Sequence, residues 1–131
     1  MKKLTITSVF GIIGILSWTL TILLRETTVN GVETVNFILG IMPNVSATWF
    51  FIWIGEIIVN RLKNSFTLKI SVITSGLIFL FAIISEIAHD LFLNSTFDMY
   101  DIIGTISAIA LYLATFYITK NRKNINEQSS H

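Results

Sequence analysis

The chain has 131 residues, of which 53% are hydrophobic and 13% charged, with a net charge of +1 and no cysteine. A soluble domain carries about 25% charged residues, and one this short lacks the interior volume to hide so much apolar surface. The composition therefore indicates a single-domain integral membrane protein, and it excludes disulfides, thiolate metal sites, a catalytic thiol and a cysteine-linked lipid anchor.

The apolar runs predict an all-α fold, a bundle of four transmembrane helices. Leu4 to Leu24 is uncharged and long enough to cross a bilayer. Lys2 and Lys3 ahead of it give it the look of a signal peptide, but the apolar stretch is too long and no small-x-small cleavage site precedes Arg25. It is read as a first span that stays. Residues 25–36 are polar and contain Asn30-Gly31, a turn signal. A second span is predicted over 37–59, a basic connection over 61–69, a third span over 70–89 and a short fourth over 102–118. Residues 119–131 read as a polar, mobile cytoplasmic tail.

The cations set the expected orientation. Lys2, Lys3, Arg61, Lys63, Lys69, Lys120, Arg122 and Lys123 fall on one side of such a bundle and Arg25 alone on the other. The positive-inside rule then puts both termini in the cytoplasm and the protein in the cytoplasmic (inner) membrane as a multi-pass chain. Basic residues scattered in short clusters do not make a nucleic-acid footprint, so the bilayer is the expected partner and nucleic acid is not.

The polar residues inside this apolar frame are the candidate site, because such groups are costly there. Glu86 and His89 lie one turn apart near the end of the third span, and Asp98 and Asp101 stand at the entrance of the fourth. Antiparallel neighbours joined by a short connector bring these ends together, with Asp101 within reach of Glu86 and His89 as the expected bridge between the acids. Asp98 also suits a helix N-cap with Asp101 at its N3 position, so both have a purely structural reading as well. The second span reaches the same depth at Pro43 and Asn44. Pro43 lacks an N–H and leaves the Leu39 carbonyl without its helical donor, a defect that a neighbouring group must satisfy.

Glu86-x-x-His89 has the spacing of di-metal carboxylate bundles, but it occurs once and the other histidine, His131, ends the chain on the opposite side, so no metal or other cofactor is expected. Glu56 lies near the cytoplasmic end of its span and is expected to be neutralised by Arg61 and Lys63. Trp49 and Trp53 are too deep for an interfacial belt and are expected to pack against another span. Gly104 and Ala108, and on another face Ala110 and Ala114, have the small-xxx-small spacing that lets helices approach closely. No serine-nucleophile motif, phosphate loop or repeated zinc spacing supports a familiar enzyme class.

Around Glu86–His89 and Phe97-Asp98-Met99-Tyr100-Asp101-Ile102, followed by Gly104-Thr105-Ile106-Ser107, the sequence resembles the VanZ-like family of small bacterial membrane proteins. Asn36-Phe37 and Met42-Pro43 are similar to a less specific upstream part of its pattern. His89 stands where the family usually has Gln, Gly104 where it has Asn, and Ser107 where it has Gly. The resemblance implies an envelope role, with an outward-facing polar pocket for an amphiphile or a lipid-linked cell-wall component. It also implies an influence on susceptibility to glycopeptide-type antibiotics such as teicoplanin. The alternative expectation is a helper subunit or immunity-type protein that acts by pairing its helices with a membrane partner.

Overall fold

The computed structural model describes residues 4–27, 31–62 and 64–128. Lys2, Lys3, Asn30, Lys63 and His131, which entered the expectations on charge, turn and metal, lie outside these residues. The described chain is all-helical: α1 (Ile6–Arg25), α2 (Glu33–Arg61), α3 (Leu68–Leu93) and α4 (Met99–Gln128). All four are long and apolar enough to span a membrane, with mean hydropathies of 2.0, 1.6, 2.2 and 1.8, yet only 17% to 33% of each apolar window is buried inside the bundle. Leu16, Phe81 and Leu91 are among the large side chains left facing outward, at 63%, 69% and 69% exposure. Apolar surface on that scale needs hydrocarbon around it, and the chain is accordingly a multi-pass membrane protein.

Each helix begins or ends for a local reason. Thr5 caps α1 by accepting from the Ser8 N–H at 3.1 Å, and Thr67 caps α3 by accepting from the Ile70 N–H at 3.4 Å. Asn94 ends α3 in the left-handed conformation, with φ 49°, and its N–H returns to the His89 carbonyl; asparagine is one of the few side chains at ease there. The helices overrun the expected spans. α4 continues to Gln128 instead of giving way at 118 to a polar tail, because residues 119–128 contain no Gly or Pro and are rich in Lys, Arg, Glu and Gln, which lose little in a helix.

The four helices pack antiparallel, with α2 and α4 in mutual contact at the centre and α1 and α3 on opposite sides of that pair. Small residues set the closest approaches. A methyl group on Gly14 would lie 2.7 Å from the Ser46 carbonyl oxygen, one on Gly55 2.7 Å from Thr74, and one on Gly104 2.5 Å from Ile41. Gly104 and buried Ala108 thus form a real helix–helix contact, against α2, while Ala110 and Ala114 are exposed. The packed core is Phe10, Ile52, Tyr112 and Phe116. Phe10 meets Trp49 and Tyr112 edge-on at 5.1 and 5.4 Å. Trp49 also reaches α4, its indole N–H donating to the Ala108 carbonyl at 3.0 Å, and Trp53 lies over Gly11. Both tryptophans therefore pack between spans, as their depth implied.

Tyr112, fully buried, ties three helices together. Its hydroxyl lies 3.0 Å from Thr7 Oγ1 of α1 and accepts from Ser71 of α3 at 3.1 Å. Interhelical hydrogen bonds in membranes average about 0.6 kcal/mol because the freed groups find other partners, whereas cutting an aromatic ring back to Ala costs roughly 3–5 kcal/mol. Tyr112→Phe should therefore lower thermal stability in detergent only slightly, and Tyr112→Ala severely. Equal losses in the two melting curves would show that the hydroxyl, not the ring, holds the three helices.

Candidate functional site

Where α3 ends and α4 begins, three acidic residues come together. Glu86 is buried at 8% exposure, and its Oε2 accepts from the Asp98 backbone N–H at 3.3 Å. Asp98 in turn caps α4, its Oδ1 accepting from the Tyr100 N–H at 2.8 Å. Asp101 sits one turn into α4, half-buried, hydrogen-bonded to the Asn44 side chain of α2 and within electrostatic reach of Glu86, Asp98 and Arg25. The tight Asn94 cap and a short connector make this meeting possible, as the linear order of the residues suggested.

His89 does not join them. Glu86 faces inward and His89, three residues on, is exposed and outside the cavity described below, so the expected imidazole bridge between the acids is not formed. A step of three residues rotates a side chain about 60° short of a full turn, enough to move it from the buried to the outer face. Among the described residues, no group of three or more potential ligands is placed to hold a metal ion.

The cation at this end of the bundle is Arg25, the last residue of α1. Its guanidinium donates to the Leu39 carbonyl at 2.7 Å, the acceptor that Pro43 deprives of its helical N–H. Sequence reasoning identified the orphaned carbonyl but counted Arg25 only as the odd charge in the orientation argument. A lone cation on an otherwise acidic side was the signal that could have found it.

A cavity of about 660 Å³ opens beside the acids, between α2, α3 and α4. One end carries Asn44, Thr48, Ser85, Glu86, Asp101 and Thr105. The remainder is apolar, walled by residues that include Phe51, Ile54, Ile58, Leu77 and Phe81. Along α2 from Asn44 to Ile58 it extends about 21 Å, at 1.5 Å per residue. Thr48 and Thr105 spend their hydroxyl protons on the carbonyls of Asn44 and Asp101 within their own helices, at 2.7 and 3.1 Å. The polar end is therefore dominated by acceptors, save for the Asn44 amide and Ser85.

Glu56, expected to be balanced by Arg61 and Lys63, is instead buried at 5% exposure and accepts the Thr5 hydroxyl at 2.7 Å. Sequence proximity misled here, because the start of α1 is nearer in space than the residues that follow on α2. Thr5 gives its proton to Glu56, so the Ser8 hydroxyl, 2.8 Å from it, must donate to Thr5.

A membrane protein with four spans and an acid-ended cavity is the class the geometry defines. No protein-family model matches the chain, and neither a curated protein nor a solved structure matches it.

The pairing of Arg25 with Pro43 has a direct consequence. Arg25→Met should destabilise the protein by about 1–3 kcal/mol by leaving the Leu39 carbonyl unsatisfied. Pro43→Ala supplies an N–H to that carbonyl and should recover much of the loss in the double variant. Additive losses in a thermal double-mutant cycle would show that the two residues act independently.

Proposed function

We propose that this protein binds an amphiphile taken from the surrounding bilayer, seating its head at Asn44, Glu86 and Asp101 and its chain along α2 between α3 and α4. The observation that carries this reading is the cavity's split character, acceptor-rich at one end and apolar along the rest. Its volume falls in the range of roughly 300–1,000 Å³ typical of ligand pockets. Carboxylates can only accept or attract, so the fitting head donates hydrogen bonds or carries an ammonium. Three carboxylates against one guanidinium disfavour a purely anionic head.

The VanZ-like resemblance accords with this reading, since Glu86 and the Phe97–Ile102 stretch that carry it fall at the polar end. On that basis the protein acts at the cell envelope, in the cytoplasmic membrane, with both termini inside and the acidic end facing out. The helper-subunit alternative gains no support from Gly104 and Ala108, which are occupied within the bundle; it would have to use the exposed Ala110–Ala114 face instead.

Two measurements test the proposal. In intact cells an impermeant thiol reagent should label Ser95→Cys, on the exposed α3–α4 connector, and leave Ser65→Cys, on the exposed α2–α3 connector, untouched. The reverse pattern would invert the orientation. Expression of the protein should alter susceptibility to amphiphilic glycopeptides, and Glu86→Gln or Asp101→Asn should remove the effect at unchanged protein level. If both variants act like the parent while a bulky residue at Ala110 abolishes activity, the partner-pairing reading replaces this one.

A further inference from the structure

A second cavity, about 590 Å³, lies on the other flank of α2, between α2 and α1, and is walled by Gly14, Ile15, Trp18, Pro43, Ser46 and Phe50. It is not separate from the first. Asn44, Ala47 and Phe51 of α2 line both cavities, so the two grooves run down either side of one helix and meet where the polar head would sit. From the amphiphile reading, on which this inference rests, we propose that the occupant is a two-chain, ester-linked lipid that straddles α2. One chain lies in each groove, and the head rests at Asn44, Glu86 and Asp101.

A polar group inside the second groove supports this. The Ser46 hydroxyl is buried, at 1% exposure of the residue, and has no hydrogen-bond partner in the protein. A buried hydroxyl without a partner is costly, and a hydrocarbon chain offers it nothing. Ser46 lies two residues below Asn44, about 3 Å along the helix axis. In an ester-linked lipid the ester carbonyls lie just beneath the head, at the depth where Ser46 waits for an acceptor. The hydroxyl donates to the ester carbonyl of the chain entering the α1–α2 groove. A single-chain amphiphile, or an ether-linked one, leaves Ser46 without a comparable acceptor. The acceptors at the head position favour a lipid whose head carries an ammonium.

The test uses the full chain in nanodiscs, with bound lipid read by native mass spectrometry. The probes are ester-linked diacyl phosphatidylethanolamine, its ether-linked dialkyl analogue and its one-chain lyso form. The parent protein should prefer the diacyl ester. Ile15→Trp, which narrows only the α1–α2 groove at a partly exposed position, should lower diacyl binding by about tenfold and spare the lyso form. The near-isosteric Ser46→Ala should erase the preference for ester over ether, a change of about 3- to 10-fold for one neutral hydrogen bond. Ala82→Trp, which narrows only the α2–α3–α4 groove, should lower binding of all three.

If Ala82→Trp acts as stated but Ile15→Trp and Ser46→Ala change nothing, the lipid uses one groove and this inference alone fails. If no probe binds, or binding is indifferent to Ala82→Trp, the amphiphile reading fails and takes this one with it. A dimer mass that disappears in Ile15→Trp would show that a second copy, not a lipid, fills the α1–α2 groove, and would likewise overturn the inference.

Discussion

One missing hydrogen organises the polar half of this protein. Pro43 sits inside α2, the helix that touches every other helix, and cannot donate to Leu39. In water the freed carbonyl would be solvated; within an apolar layer it must find a donor in the protein. Arg25 provides it from the end of α1. A guanidinium at that position would be expensive alone. Asp101, held by Asn44 only one residue from Pro43, lies near enough to balance it. Proline, arginine and the acids thus account for one another: each is a defect by itself, and together they close.

The two ends of the bundle use buried carboxylates differently, which separates burial from function. Glu56 and Glu86 are the same residue type at nearly the same exposure, 5% and 8%. Glu56 is answered by Thr5, the residue that also caps α1, in a region filled by the aromatic core and without a cavity beside it. Glu86 is answered by the backbone of the α3–α4 connector and faces open space. The contrast follows from side-chain size. Phe10, Trp49, Phe66, Tyr112 and Phe116 fill the Glu56 end, whereas Asn44, Ala47, Ala82 and Ser85 leave a groove at the Glu86 end.

The sequence was most legible where a single constraint dominates. Four uncharged runs of spanning length admit one interpretation in a chain this apolar, and Asp98 reads as a cap because the N-cap chemistry is local. The meeting of Glu86 with Asp101 followed from a short connector. His89 and Glu56 were less legible because their surroundings depend on helix rotation and on a neighbour distant in sequence. Tyr112 carried no signal at all: in an apolar run a tyrosine looks like any aromatic core residue, and only the arrival of Thr7 and Ser71 from other helices turns its hydroxyl into a junction. The groove was invisible for a related reason, since it is a property of what three helices fail to fill.

A groove between membrane helices is not an empty cavity in the sense of a soluble core. Lipid chains are as apolar as leucine, so hydrocarbon entering along α2 exchanges one set of dispersion contacts for another with little net gain. The apolar walls therefore supply length and direction but little discrimination. Discrimination must come from the few groups that a bulk lipid chain cannot satisfy: the carboxylates of Glu86 and Asp101, the Asn44 amide and the partnerless Ser46 hydroxyl. Replacing apolar wall residues with others of similar size should change occupancy little, while replacing any of these four should change which molecule is held. Selectivity in such a site is set at its rim, where the protein has placed its charged and hydrogen-bonding side chains.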